Sequence, residues 1–472
     1  MTFRVSVAGQ AQELHTHLRA VRERAQRLGR PVLASVARPA PLGKYTPLGV
    51  FHSAGASSHR VFWARPERDF WMVGVGRATA LISEGGRRFS LVSDAYKRAL
   101  ENAVIDGPDE QGVGPVFMGG FRFDPHAPRS PVWQDFPDAM LVLPKLLFTW
   151  SGGRVWITAN FLVGETTDIT SAAEEAALLQ TAGVSPSDSQ EASQPLVDRE
   201  EHSSPEQWAA WVGQALEDIR ERRLTKVVLA RQKLLRAQGR FSLGHALEYL
   251  VESYPQCSVC AMNNGNSEFL AATPESLVRM ARGTLSLTCL AGTASRSRSP
   301  EEDQRMGHQL MCSTKERAEH QTVVDMLIET LRPLCEDLSW DSQPSVLLLR
   351  NVAHLQTSFT GRVDGDTDLL KLAERLHPTP AVGGTPTDRA LETIRTLEGD
   401  RGWYAGLLGW LDRHGEGEFG VGIRSALLRG NEATLFAGAG IVEGSDPDRE
   451  FEETESKFQP LLAALGHYRE DD

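Results

Sequence analysis

Short apolar strand patterns and amphipathic helical patterns follow one another through the second half of this 472-residue chain, with no repeat of fixed length. A polar-amphipathic stretch over 301–331 predicts one long helix, and 448–465 predicts another. The apolar runs that predict strands are 226–230, 269–273, 285–290 and 434–442. Strands interspersed with helices in this irregular order favour an α+β fold.

The first half is also mixed, and a polar segment separates it from the second. Helical periodicity over 13–27 predicts a helix, and Gly-Pro and Pro-Arg pairs mark turns among the strand patterns that follow. Those strand patterns are 61–64, 71–75, 116–121 and 140–144. Residues 183–205 are rich in Ser, Pro and acidic side chains, which predicts an exposed linker or long loop. We therefore divide the chain into an N-terminal half (1–182), this linker, and a second half (206–468) whose first helix covers 208–221.

The charge balance disfavours nucleic acid as a partner. Lys and Arg number 50 against 62 Asp and Glu, a net charge of −12, whereas phosphate binding requires a basic surface. A small anionic substrate remains compatible with this charge because it responds to its local pocket. A secretory signal needs an apolar centre of about 7 residues near the start, and a membrane span needs an apolar run of about 20. We find neither pattern in the sequence. We therefore expect no membrane association.

The cysteines are few and odd in number. Five in so long a chain fit a reducing cytoplasm without a disulfide framework, and we expect a cytoplasmic location. Cys257 and Cys260 form a CxxC pair, but no second pair of cysteines or histidines lies near them. Their apolar surroundings are typical of a core strand rather than a zinc site.

Two predicted helices carry carboxylates on one face. Glu316 and Glu319 are three residues apart, as are Glu450 and Glu453, and Lys457 follows Glu453 by four. Carboxylates from two separate helices are what a Mg²⁺ site needs, because this ion prefers oxygen ligands and takes others from water and an anionic substrate. The alternative is a solvated helix face with ion pairs between neighbouring turns.

Three further residues suit acid–base or anion-binding roles. Lys226 begins an apolar strand pattern, where desolvation would lower its pKa and let it act as a base; alternatively it is a strand-end lysine that reaches solvent. Glu275 follows Pro274 at a strand end and is either a protonated general acid or an exposed carboxylate. Arg424 ends the alternating pattern 419–424, where it would clamp a carboxylate or pair with any acid.

Glycines leave parts of two strands without side chains. Gly438 and Gly440 alternate along one predicted strand, and Gly292 lies in the segment LAGTASR. A bare strand face lets a ligand approach the backbone and its N–H groups. Close packing against another strand is the alternative.

Taken together and in this order, these segments resemble the chorismate-utilising enzyme family of isochorismate, salicylate, anthranilate and aminodeoxychorismate synthases. The resemblance covers residues 206–466 and extends more loosely to RVFWARPE (60–67) and GPVFMGGFRFDP (114–125). The matching segments are KVVLAR (226–231), TPESLVR (273–279), LAGTASR (290–296), STKERAEHQTVVDM (313–326), HLQTSFTG (354–361), HPTPAVGGTP (377–386), RGWYAGLLGW (401–410), GIRSA (422–426), AGAGIVEGSDP (437–447) and EETESK (452–457).

The resemblance implies a fold and a set of roles. The fold is a single large domain of orthogonally packed antiparallel sheets flanked by helices, to which the N-terminal half contributes strands. Lys226 looks like the base that activates water for attack at ring carbon 2, and Glu275 like the acid that protonates the hydroxyl leaving carbon 4. Glu319 and Glu453 resemble the Mg²⁺ ligands. The positions that match substrate-binding residues are Gly292, Thr293, His354, Ala381, Arg424, Gly440 and Lys457.

Two positions depart from the family pattern. Thr273 stands where Ser is frequent, which is a mild change. Ala318 stands where many relatives carry histidine next to the metal-binding glutamate. The contact made by that histidine is therefore not expected in this chain, whereas the glutamate ligand still is.

Within the family, two positions favour isochorismate synthase, which rearranges chorismate to isochorismate. Lys226 argues against the members that use ammonia, so no glutamine amidotransferase subunit is expected as a partner. Ala381 argues against salicylate synthase, because members that eliminate pyruvate usually have threonine there. Salicylate synthase and a catalytically silent homologue remain the alternatives. The long N-terminal half favours the menaquinone pathway over the siderophore pathway for the product.

Overall fold

The computed structural model of the protein describes residues 7–55, 59–182, 196–201, 203–295, 299–348, 352–363 and 367–466. The α-helices in these ranges are α1 (Val7–Leu28), α2 (Pro47–Ser53), α3 (Arg88–Leu100), α4 (Ile169–Ala182), α5 (Pro205–Arg220), α6 (Leu243–Ser253), α7 (Pro300–Cys312), α8 (Thr314–Leu331), α9 (Leu369–Leu376), α10 (Thr387–Leu397) and α11 (Pro447–Ala464). None of these helices, over the residues described, is long and apolar enough to cross a membrane.

The strands alternate with the helices along the whole chain. They are β1 (Val32–Ala40), β2 (Arg60–Arg65), β3 (Phe70–Val75), β4 (Thr79–Ser83), β5 (Val104–Asp106), β6 (Phe117–Phe121), β7 (Ala139–Leu143), β8 (Leu146–Ser151), β9 (Arg154–Val163), β10 (Leu196–Glu201), β11 (Lys226–Ala237), β12 (Ser258–Asn264), β13 (Ser267–Thr273), β14 (Ser276–Ala281), β15 (Thr284–Ser295), β16 (Ser339–Trp340), β17 (Ser345–Leu348), β18 (Val352–Arg362), β19 (Gly384–Thr385), β20 (Leu407–Leu411), β21 (Gly417–Val421), β22 (Ser425–Arg429) and β23 (Glu432–Ile441).

The strands form two large sheets, each built from both halves of the chain. The first has 13 strands in the order β10-β11-β23-β22-β13-β12-β2-β3-β8-β9-β1-β5, with β19 beside β11. The second has 10 strands in the order β16-β18-β15-β14-β21-β20-β6-β7-β4, with β17 beside β18. The halves join where β12 pairs with β2 and where β20 pairs with β6, both antiparallel. The predicted α+β fold with large antiparallel sheets is confirmed.

Alternation along the strands of the first sheet separates two layers of the core. In β2, Val61 and Trp63 point into one apolar cluster, which also contains Phe121 of the second sheet. Phe62 and Ala64 point to the opposite face, into a cluster that contains residues of α1, α2, α6 and α11. Because side chains in a strand alternate between faces, the first sheet has the second sheet on one side and helices on the other.

The single helix predicted over 301–331 is wrong, because the structure has two helices there. Ser313 has extended backbone angles (φ −70°, ψ 115°) and its side chain accepts the N–H of Glu316, which caps α8. A serine at this position with glutamate three residues later is the sequence pattern of a capped N-terminus, so the break had a readable signal. The break directs the first turn of α8 towards the candidate site.

Part of the predicted linker is a strand. Residues 183–195 and 202 lie outside the described residues, but 196–201 form β10, which pairs antiparallel with β11. Glu201 bonds Arg231 at 2.8 Å and Lys233 at 3.0 Å, and both cationic side chains are fully buried. The exposure predicted from the polar composition is confirmed for β10, but the segment is a paired strand, and it supplies charge that these two buried cations need.

Candidate active site

A cavity of about 190 Å³ lies where the ends of the two sheets meet the first turns of α8 and α11. Nine of the predicted site residues line it: Lys226, Glu275, Gly292, His354, Ala381, Arg424, Gly440, Glu453 and Lys457. For the other two, Thr293 and Glu319, the structure describes the backbone, in β15 and α8, but not the side chain. Segments far apart in sequence therefore converge on one cavity.

Lys226 is the first residue of β11, and Gly440 gives its side chain room. A Cβ placed on Gly440 would lie 3.0 Å from Cε and 3.4 Å from Nζ of Lys226. The bare face of β23 at this position is therefore occupied, at least in part, by the lysine. The sequence suggested that a glycine here lets a ligand approach the backbone. In the structure, the space beside Gly440 accommodates the side chain of Lys226 instead.

Glu275 occupies the short turn between β13 and β14, where the chain passes from the first sheet to the second. Its N–H donates to the Thr273 hydroxyl at 3.1 Å, and its carbonyl accepts the N–H of Val421 at 3.0 Å. Burial raises the pKa of its carboxyl group to about 7, and the Thr379 hydroxyl, 3.4 Å from Oε1, acts in the opposite direction. A shift of that size corresponds to about 3 kcal/mol in favour of the protonated form.

Arg424 lies at another crossing between the sheets, between β21 and β22. It has left-handed backbone angles (φ 47°), and its carbonyl accepts the N–H of Ala272 at 3.1 Å. The strand alternation predicted through 419–424 ends at Val421, because the chain turns there, with the N–H of Ile423 bonded to the Val421 carbonyl at 2.8 Å. The guanidinium nevertheless lines the cavity as expected.

His354 and Gly292 connect β18, β15 and α8 at the wall of the cavity. Burial, together with the nearby charges of Arg424 and Lys457, lowers the pKa of His354 to about 3, and its ring donates to the Gly292 carbonyl. Gly292 has a φ of +76° at a bulge in β15, and a Cβ there would lie 3.1 Å from the Glu316 carbonyl. The glycine therefore allows the first turn of α8 to approach the sheet closely, and the imidazole is neutral.

The end of the cavity formed by α8 and α11 holds a group of charged residues. Glu450, Glu453 and Lys457 share one face of α11, and Glu316 comes from the first turn of α8. Lys457 Nζ donates to Glu453 Oε1 at 2.7 Å and to the Gly438 carbonyl at 2.8 Å. Burial raises the pKa of Glu450, and the nearby charge of Glu453 adds to the shift. Negative charge therefore concentrates between the two helices.

This end of the cavity suits a magnesium ion chemically. Carboxylate oxygens from two helices face one space, and a carboxylate whose pKa is raised by its neighbour gains from a cation between them. No group of three or more His, Cys, Asp or Glu side chains arranged to hold a metal is found in the described part of the chain. Mg²⁺ commonly takes only one or two protein carboxylates and fills its shell with water and substrate oxygens, so a smaller set is enough.

Several residues that the sequence reasoning did not assign also shape the site. Tyr404, from the segment RGWYAGLLGW, lines the cavity and stacks on Phe436 with ring centroids 5.2 Å apart. His320 donates from Nδ1 to the Ala291 carbonyl at 3.1 Å and accepts the Thr357 hydroxyl at Nε2 at 2.8 Å. These contacts fix α8 against β15 and β18 at the residue after Glu319. The signal was present, since both residues belong to segments already singled out.

Comparisons with known proteins agree over nearly the whole chain. A family model described as chorismate binding enzyme matches residues 18–466. Isochorismate synthase MenF of Bacillus subtilis (strain 168) is 32% identical over 455 residues, covering 94% of this chain and 96% of that protein. The salicylate biosynthesis isochorismate synthase of Pseudomonas aeruginosa is 38% identical over 451 residues, covering 93% and 92%. The structure of MenF, the menaquinone-specific isochorismate synthase from Escherichia coli, matches with a TM-score of 0.79 at 26% identity, covering 96% of this chain and 100% of that one.

Proposed function

The chain belongs to the chorismate binding enzyme family, and from this premise we propose that it is an isochorismate synthase, an isomerase that converts chorismate to isochorismate. The observation that carries the proposal is the presence of Lys226 and Glu275 in one cavity of about 190 Å³. The reaction adds water at one ring carbon and expels a hydroxyl from another. It therefore needs a base and an acid at separate positions, which these two residues supply.

In the proposed reaction, the amine of Lys226 takes a proton from a water molecule while the oxygen of that water bonds to ring carbon 2. The ring double bonds shift, the bond from carbon 4 to its hydroxyl breaks, and Glu275 gives its proton to that oxygen, which leaves as water. One water enters and one leaves, so the product is an isomer of the substrate. Transfer of a proton from the Lys226 ammonium to the Glu275 carboxylate, directly or through solvent, restores the enzyme.

The environment of Glu275 supports its role as the acid. Burial raises the pKa of its carboxyl group to about 7, so a large fraction is protonated near neutral pH, whereas an exposed glutamate would be ionised. An acid with a pKa near the working pH both holds its proton and releases it readily. This property favours an acid over a carboxylate that only binds the substrate.

The cationic and bare positions of the cavity support binding of a dianion. Arg424 and Lys457 are the cations that we assign to the carboxylates of chorismate, and Arg424 offers two parallel hydrogen bonds. His354 is neutral, and Gly292, Thr293, Ala381 and Gly440 belong to the segments that surround the ring. The binding energy of these groups would hold carbon 2 towards Lys226 and carbon 4 towards Glu275.

The carboxylates of the two helices support Mg²⁺ as the cofactor. Glu453 and Glu319 are the ligands we assign, and Glu316 and Glu450 line the cavity together with Glu453. When bound, the ion would neutralise a substrate carboxylate and favour the shift of charge through the conjugated ring. Lys457 orients the Glu453 carboxylate through its 2.7 Å contact.

The pathway and location complete the proposal. The similarity to a menaquinone-specific isochorismate synthase over 96% of the chain supports a role in menaquinone biosynthesis. The alternative is supply of a siderophore or salicylate pathway, as in the name of the Pseudomonas relative. Water as the nucleophile fits an enzyme without an amidotransferase subunit. None of the five cysteines, all of which lie in the described ranges, forms a disulfide, which fits a cytoplasmic location.

Incubation of the purified protein with chorismate and Mg²⁺, with and without a chelator, tests the function directly. We expect a mixture of chorismate and isochorismate on chromatography, with no pyruvate, and loss of conversion with the chelator. Salicylate together with pyruvate would replace the proposal with salicylate synthase. No conversion under any condition would indicate a catalytically silent homologue.

A further inference from the structure

A buried arginine links the strand of Lys226 to the loop of Ala381. Arg401 lies after α10, and its side chain is only 3% exposed. Its Nη2 donates to the Val228 carbonyl in β11 at 2.6 Å, and its Nη1 donates to the Val382 carbonyl at 2.9 Å. One guanidinium therefore bonds two backbone segments that are more than 150 residues apart in sequence.

Glu398 completes this connection from the last turn of α10. Its Oε1 accepts Arg401 Nη2 at 2.7 Å and also the N–H of Ala230 at 2.8 Å, while Oε2 accepts Arg401 Nε at 2.8 Å. The ion pair thus contacts β11 at residues 228 and 230 simultaneously. Its members are 3% and 5% exposed, so these bonds form away from solvent, where they are strong and costly to lose.

One segment held by Arg401 carries Lys226, the proposed base, and the other carries Thr379, which contacts Glu275, the proposed acid. Val228 is two residues beyond Lys226 on the same strand, and its N–H donates to the Gly383 carbonyl at 2.9 Å. The loop that contains Val382 also contains Thr379, whose hydroxyl lies 3.4 Å from Glu275 Oε1. Arg401 itself does not line the cavity. Arg401 therefore affects the reaction through the positions of these two segments.

We propose that Arg401 is a positioning residue, which fixes the Lys226 strand and the Thr379–Ala381 loop relative to each other and so sets the geometry between base and acid. This inference rests on the proposed function. Only an arginine suits the position, because its planar fork offers several donors in fixed directions to two carbonyls and a carboxylate. Lysine has a single ammonium group and cannot reproduce that arrangement.

A second buried ion pair in the same chain provides a matched control. Arg60 pairs with Glu268 at 3.0 Å with exposures of 7% and 3%, and its guanidinium lies 4.3 Å from the Phe51 ring centroid. Arg401 is similarly placed, 4.7 Å from the Phe123 ring centroid. Neither Arg60 nor Glu268 lines the cavity. Replacement of either arginine by lysine disturbs a buried ion pair, but only Arg401 bonds β11 and the loop before β19.

The experiment compares Arg401→Lys with Arg60→Lys by thermal unfolding, steady-state kinetics with chorismate, and the pH dependence of kcat/KM. We expect both variants to unfold at lower temperature. Only Arg401→Lys should also lose kcat, by about 100-fold, because a misplacement of about 1 Å has that effect, with KM little changed. Its pH profile should also differ from that of the wild type, whereas the Arg60→Lys profile should not.

An Arg401→Lys enzyme with the kcat and pH profile of Arg60→Lys would overturn the proposal, as would a loss carried by KM alone. If Arg401→Lys does not fold, Glu398→Gln tests the same link, because glutamine keeps an acceptor for the Ala230 N–H but loses the charge. It should lower kcat in the same direction to a smaller extent, and wild-type kcat in Glu398→Gln would again contradict the inference. Failure of the proposed function is distinct, since the wild-type protein would then form no isochorismate.

Discussion

The two ends of the cavity are built from different elements and hold their charged groups differently. At one end, Lys226 begins a strand and Glu275 lies in a turn between the sheets, where burial raises the pKa of its carboxyl group to about 7. At the other end, Glu453 and Lys457 lie on α11 with side chains 38% and 27% exposed, and they pair at 2.7 Å. Glu275 is desolvated by the surrounding protein, whereas the carboxylate and ammonium on α11 remain partly exposed, and we call these the enclosed end and the hydrated end.

The difference corresponds to what each end is proposed to do. Proton transfer near neutral pH requires a carboxyl group whose charge is disfavoured by its surroundings, which burial provides. A Mg²⁺ site requires carboxylates that stay ionised, which water and a neighbouring ammonium provide. Burying Glu453 as deeply as Glu275 would favour its neutral form and weaken the metal site. Glutamate therefore acts as a proton donor in one place and as a metal ligand in the other, because the surroundings of the two side chains differ.

The largest effect should come from removing the base at the enclosed end. We expect Lys226→Ala to lower isochorismate formation by about 1,000-fold, because general base catalysis typically contributes 100- to 10,000-fold. Product chromatography measures the rate, and thermal unfolding checks that the fold is intact. Lys315→Ala, which removes a cavity lysine from the helix end, should cost far less. Near-normal formation of isochorismate in Lys226→Ala would exclude this lysine as the base.

A smaller loss should follow a change at the hydrated end. Glu453→Gln removes a proposed ligand, so we expect the Mg²⁺ concentration for half-maximal activity to rise by about 10- to 100-fold. Glu452→Gln is the matched control, since Glu452 is exposed and does not line the cavity. A titration of activity with MgCl₂ for both variants makes the comparison. Identical curves for the two would mean that this face of α11 is only solvated surface.

The sequence predicted the fold class, and nine of the eleven candidate site residues, whose roles came from the family resemblance, line one cavity. Continuous apolar runs located strands such as β11 and β13, and carboxylates three residues apart located the helix face of α11. The break at Ser313 was missed although its capping pattern is visible, since residues on both sides favour a helix. The role of Arg401 had no local signal. Its partners at 228 and 382 come together only after β11 and the loop before β19 are assembled.

The acid at the enclosed end gives a prediction about pH. Glu275 acts in its protonated form, so kcat/KM should fall as pH rises through about 7, where its raised pKa lies. The Thr379 hydroxyl bonds the carboxyl group and favours its charged form. Thr379→Val should therefore raise the pKa of Glu275 further and move the fall in kcat/KM to higher pH, by up to about one unit.

Two comparisons make the pH experiment decisive. Thr322→Val removes a hydroxyl from α8 that bonds only the Ala318 carbonyl at 2.9 Å, and it should leave the profile in place. Glu275→Gln should lose most activity and, with it, the fall above about pH 7. A fall that persists unchanged in Glu275→Gln would belong to another group, and a shift towards lower pH in Thr379→Val would contradict the assigned direction.

The smallest expected effect concerns which product leaves the cavity. Ala381 lines the cavity in the loop held by Arg401, two residues after Thr379. Ala381→Thr adds a hydroxyl beside the ring, in the manner of the family members that eliminate pyruvate, and we expect a minor share of salicylate and pyruvate alongside isochorismate. Ala381→Val adds the same volume without the hydroxyl and should form neither, although its rate will fall for steric reasons. If both variants form pyruvate, the change is due to crowding of the ring rather than to the hydroxyl. If neither forms pyruvate, this position does not separate isomerase from lyase chemistry in this chain.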